Sequence, residues 1–81
     1  MAEQSLPVVL WRPHCPFCYN LFSGIERHGI EVETRNIWED KEARVLLNSR
    51  IGSETVPSVI VGDELLVNPS IAELIAAIKG S

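Results

Sequence analysis

The chain has 81 residues, 46% of them apolar, and a formal net charge of −4. That supports one modest core and a single domain over 1–81, and it excludes partners that need clustered Lys and Arg: nucleic acid and acidic membrane surfaces. The start, Met1-Ala2-Glu3-Gln4-Ser5, has neither the basic end nor the apolar run of a secretory leader, and no run reaches the length of a membrane span, so a cytoplasmic protein is expected.

Residues 6–11 are a short apolar run bounded by Pro13 and predict a buried strand. From Pro16 the pattern changes: Cys18, Leu21, Phe22 and Ile25 recur at i, i+3, i+4 and i+7, the spacing of one helical face, and Gly29 stops the helix. Ile30, Val32 and Thr34 alternate with Glu31, Glu33 and Arg35, which predicts a strand packed on one side, extended by Ile37. Ala43, Leu46, Leu47 and Ile51 mark a second helix closing near Gly52, with Glu39 or Asp40 at its positive end. Residues 58–61 and 64–67 are β-rich runs joined by Gly62-Asp63, a hairpin. Ser70 and Glu73 have capping-box spacing, and Ile71, Leu74, Ile75 and Ile78 form the face of a last helix before Gly80. The order β-α-β-α-β-β-α makes the first two strands parallel and the hairpin antiparallel. The expected class is α/β, a thioredoxin-like sandwich on a mixed four-stranded sheet.

The two cysteines, Cys15 and Cys18, stand where the first strand gives way to the first helix. Cytosolic thiols are normally kept reduced, so a structural staple is not expected. A sulfur at a helix start faces unpaired N–H groups and the positive end of the dipole, and should ionise more readily than a free thiol of pKa ~8.5. Pro16 suits the first helical position, where its missing N–H would be unpaired anyway. No acidic residue occurs from Gln4 to Ile25, while Arg12 and His14 flank Cys15, so His14 and Pro16 are the candidates for tuning the thiol. Three residues on, Cys18 shares a helical face with Cys15 at disulfide reach. Cys15, at the exposed helix start, is expected to attack, and Cys18, on the apolar face with a higher pKa, to resolve. The same spacing is half a zinc site, but that reading needs two further ligands; His14 and His28 are the only histidines and there is no second cysteine pair, so no metal is expected.

The segment Trp11-Arg12-Pro13-His14-Cys15-Pro16-Phe17-Cys18, with Thr55-Val56-Pro57 ahead of the hairpin, resembles glutaredoxins over nearly the whole chain. The resemblance implies a cis Pro57 beside the active cysteine, with Val56 offering its backbone to a bound peptide-like thiol. Arg12 resembles the basic residue that meets a substrate carboxylate, and Phe17 takes the position of a common aromatic. Where glutaredoxins carry a Gly-Gly pair and an acidic residue for glutathione, this chain has Val67-Asn68-Pro69-Ser70. The stretch from Thr55-Val56-Pro57 through Asn68, Ser70 and Glu73 is similar to mycoredoxins, which serve mycothiol. The implied activity is thiol-disulfide exchange on mixed disulfides between proteins and glutathione or mycothiol.

Two alternatives stay open. An NrdH-type redoxin, reduced by thioredoxin reductase and feeding ribonucleotide reductase, is similar in length, but its aromatic-Gly-Phe-Arg segment is missing here. A [2Fe–2S] cluster could be held by Cys15 of two chains with two small thiols. With no nucleotide-binding fingerprint, the reducing equivalents are expected from a small thiol or a partner reductase, with no resident cofactor, and the chain is expected to be a monomer. Trp11 and Trp38 could line a substrate groove, though an aromatic at a strand end more often belongs to the core.

Overall fold

The structure is a computed structural model and describes residues 6–80; the amino-terminal stretch read for a leader lies outside them. The elements run β1 (Val8–Trp11), α1 (Pro16–Arg27), β2 (Glu33–Asn36), α2 (Lys41–Ile51), β3 (Ser58–Val61), β4 (Glu64–Val67) and α3 (Ile71–Gly80). The sheet order is β2-β1-β3-β4, with β1 and β2 parallel and the remaining pairs antiparallel. This is the mixed, thioredoxin-like arrangement expected.

Successive strand residues face opposite sides, and β1 uses this to serve two cores. Leu10 joins Cys15, Cys18, Ile37, Ala43, Leu47 and Val56 on one side. Val9 joins Leu21, Ile25, Val59, Val61 and Leu74 on the other. The dithiol therefore belongs to the cluster that α2 covers. α2 starts where Asp40 caps it: the carboxylate accepts the Ala43 N–H at 3.0 Å. That N–H, and then the Arg35 guanidinium at 2.9 Å, hold the Asp40 carboxyl below its usual range. Arg35 also pairs with Glu33 at 2.8 Å, so three charges decorate the outer edge of β2. The capping box of α3 forms in both directions: Ser70 N–H to Glu73 Oε1 at 2.8 Å, and Glu73 N–H to Ser70 Oγ at 3.1 Å.

Three boundaries differ from the sequence expectation. β1 begins at Val8, because Pro7 has no N–H to give a ladder and Leu6 lies outside at 47% exposure. β2 is shortened to match, since Val8 pairs with Glu33. Ile30 and Val32 reach the core from the approach to the strand, Ile37 from the turn after it, and β2 itself is largely exposed. On α2 the buried positions are Ala43 and Leu47; Leu46, expected inside, is 38% exposed at the flank of that face. α3 runs through Gly80 rather than stopping before it. Among the described residues, no helix is long and apolar enough to cross a membrane.

α1 and α3 meet at Gly24. A Cβ there would sit 3.1 Å from Cβ and Cγ1 of Ile71, tighter than a relaxed contact. Replacing a helical Gly normally stabilises, but Val recovers only part of that gain, whereas overpacking costs about 1–3 kcal/mol. Ile71 is β-branched and stiff at χ1, so it yields poorly. Gly24→Val is expected to lower unfolding free energy by about 1–3 kcal/mol in urea titrations; an unchanged midpoint would place the two helices farther apart.

Candidate active site

Cys15 is the N-cap of α1, with extended backbone angles (φ −120°, ψ 99°), and Pro16 takes the first turn, which holds no acidic residue. The cap acceptor is a sulfur: Cys15 Sγ accepts the Cys18 N–H at 3.3 Å. The Cys18 S–H donates to the same sulfur at 2.7 Å. The protonated Cys15 can donate in turn to the Val56 carbonyl at 3.7 Å. A thiolate at this position keeps two donors and the positive end of the helix, which is the environment disulfide exchange requires.

Both cysteines are unbridged and buried. Cys15 is only 3% exposed, which corrects the expectation of an exposed helix start; the Val56 carbonyl and the core cluster around Leu10 and Ile37 close over it. Cys18 is fully buried, and burial, together with its hydrogen bond to Cys15, pushes its thiol up to about 12. The high pKa expected of the buried Cys18 is thus present.

The Val56–Pro57 bond is cis, and the Pro57 carbonyl accepts the Asn68 N–H at 2.7 Å, which ties the end of β4 to the proline turn whose Val56 carbonyl faces Cys15. Asn68 has a left-handed φ of 49°. Before Cys15, His14 is left-handed too, at φ 62°. Such a conformation costs a non-glycine residue about 1 kcal/mol or more. Arg12 does not reach into open space: its Nη1 donates to the Pro13 carbonyl at 3.0 Å and the His14 carbonyl at 3.3 Å, and its guanidinium lies 5.7 Å from the Trp38 ring. Beside the dithiol, a cleft of about 310 Å³ opens between α1 and the start of α3, lined by Phe17, Asn20, Arg27, Asn68, Ser70 and Glu73 among others. Among the described residues, no three His, Cys, Asp or Glu side chains gather as metal ligands.

Residues 8–66 match the sequence model of glutaredoxin. The chain belongs to the glutaredoxin family. Its fold is similar to that of a glutaredoxin from Archaeoglobus fulgidus, at TM-score 0.75 and 25% identity over 94% of this chain and 88% of that one. A glutaredoxin from Brucella melitensis superposes at TM-score 0.66 and 21% identity, covering 99% and 85% of the two chains. A thioredoxin-like protein reaches TM-score 0.77 at 22% identity, covering 89% and 97%. No protein of curated function matches the sequence at a significant level.

In this glutaredoxin the residues singled out from sequence fall into two groups. Cys15, Cys18, Val56 and Pro57 meet at the dithiol, while Phe17, Asn68 and Ser70 meet at the cleft. Thr55 belongs to neither; it is exposed, and its carbonyl accepts the Ser58 hydroxyl at 2.7 Å. Trp11 is half-buried and packs edge-on against Phe22 at 5.6 Å, whereas Trp38 is 55% exposed. Sequence reasoning missed Asn20 and Arg27, although with Phe17 and Gly24 they repeat at i, i+3, i+7 and i+10 on one face of α1. It also missed Tyr19, whose Oη accepts the His14 N–H at 3.1 Å; nothing in residue spacing announces that bond.

Proposed function

We propose that this glutaredoxin reduces mixed disulfides between proteins and a low-molecular-weight thiol, glutathione or mycothiol, by a dithiol mechanism. The Cys15 thiolate attacks the small thiol's sulfur, a new S–S bond forms at Cys15, and the protein leaves as a thiolate that takes up a proton. Either a second small thiol attacks the captured thiol's sulfur, forming the small-molecule disulfide and releasing the Cys15 thiolate, or Cys18 attacks the Cys15 sulfur and expels the captured thiol as a thiolate that takes up a proton. When Cys18 attacks, the internal disulfide has taken two electrons' worth of oxidation, which a small thiol or a reductase reverses. The observation that carries the reading is a helix-capping sulfur that accepts both the N–H and the S–H of Cys18, beside a cis proline.

Val56 and Pro57 are read as the wall for the captured thiol, Phe17, Asn68 and Ser70 as contacts for its far end, and His14 and Pro16 as the setting of Cys15. Thr55 contributes only the backbone that turns into that wall, and Arg12 is read as a contact for a substrate carboxylate through the guanidinium nitrogens other than the Nη1 that the Pro13 and His14 carbonyls engage. A reducing compartment such as the cytoplasm suits a dithiol that is regenerated every cycle. In a coupled assay, NADPH oxidation is expected with glutathione and glutathione reductase, or with mycothiol and its disulfide reductase. Turnover with thioredoxin reductase alone would replace this reading with that of a redoxin.

A further inference from the structure

The turn that delivers the chain to Cys15 holds His14 in a conformation side chains disfavour, with both its backbone polar groups bonded by side chains. We propose that Tyr19 and Arg12 are positioning residues: they hold His14 left-handed and thereby aim Cys15 at the start of α1. Tyr19 brackets the reactive cysteine. Its own N–H donates to the Cys15 carbonyl at 3.2 Å, and its Oη accepts the N–H of His14 at 3.1 Å, so one residue grips the main chain on both sides of Cys15. Arg12 takes the other end of the same turn through the Pro13 and His14 carbonyls, and the exposed Trp38 ring backs its guanidinium.

The consequence is conformational. Without the Oη acceptor, the His14 N–H loses its partner and the left-handed state loses ground to the ordinary regions of φ/ψ space. Cys15 then leaves the geometry in which it accepts the Cys18 N–H. Tyr19 is about half exposed and its ring is absent from both core clusters, so removing the hydroxyl alone does not disturb packing.

The test follows iodoacetamide alkylation of Cys15 at neutral pH by mass spectrometry, with thermal unfolding as a control on folding. Tyr19→Phe is expected to slow alkylation by up to about fivefold, the limit set by one neutral hydrogen bond no longer biasing a two-state equilibrium. Glycine adopts positive φ without the side-chain clash. In a His14→Gly background, adding Tyr19→Phe should therefore leave that variant's rate where it was. Arg12→Gln should show the same drop and the same cancellation, which keeps the proposal testable if Tyr19→Phe does not fold. Parent-like alkylation of both variants, or an undiminished drop in the His14→Gly background, would overturn it. The relevance to catalysis rests on the exchange reaction proposed above, but alkylation needs no substrate. A protein that fails to reduce mixed disulfides while still showing the drop and its cancellation would sink the functional reading and leave the clamp standing.

Discussion

Cys15→Ser is expected to abolish disulfide reduction with every reductant and every substrate. A hydroxyl is not measurably ionised at neutral pH, and losing a nucleophile elsewhere costs roughly 10⁴–10⁶-fold in turnover. The swap is small, and the serine hydroxyl can reuse the local partners, accepting the Cys18 N–H and donating to the Val56 carbonyl. Thermal unfolding should thus show a folded protein, which separates lost chemistry from lost structure. NADPH consumption in the coupled assay is the readout. Residual turnover within tenfold of the parent would mean that the capping sulfur is not the attacking group.

Cys18→Ser should divide the activity. Reduction of small-thiol mixed disulfides persists, because a second small thiol can attack the captured thiol's sulfur from outside and release the Cys15 thiolate. Reduction of protein disulfides stops, because the bulky adduct on Cys15 has no internal thiol to displace it. The high pKa of Cys18 invites the objection that roughly one molecule in 10⁵ would carry the thiolate at neutral pH. Proximity offsets this: well-oriented intramolecular attack has an effective molarity of roughly 10⁵ M or more, and the two sulfurs stand 2.7 Å apart. Once Cys15 carries an adduct, moreover, its charge no longer opposes ionisation of Cys18, and burial remains the main cause holding the thiol up. A serine hydroxyl among Leu10, Ile37, Leu47 and Val56 should cost about 1–3 kcal/mol of stability. Assays on an insulin-type protein disulfide and on a glutathionylated peptide, run side by side, check the division; equal loss in both would remove Cys18's distinct role.

Where local chemistry decides, the residues disclose the structure. The Ser70 and Glu73 box, the Gly62-Asp63 turn and the apolar face of α1 each place an element within a residue or two, because the signal and the structure lie on the same few residues. β2 shows the opposite case. Its alternation over residues 30–35 reads as a strand, yet its length is set by a partner that Pro7 cuts short, which is information held 26 residues away. The same holds at the site. Cys15 and Cys18 are legible from spacing and from their place between strand and helix. The burial of Cys15 depends on Val56, 41 residues downstream, and the grip of Tyr19 on His14 depends on side-chain rotamers that no periodicity encodes.

Among the described residues, the sheet ends at β2, with no further strand paired on its outer side. Such a rim is a template on which another chain could add a strand, and small open sheets are vulnerable to growth of that kind. Here Arg35 of β2 pairs with Glu33 and with Asp40 just beyond the strand, so an incoming strand would meet ions of both signs and disturb their hydration. The paired charges beside β2 thereby set a barrier to filament growth from that rim.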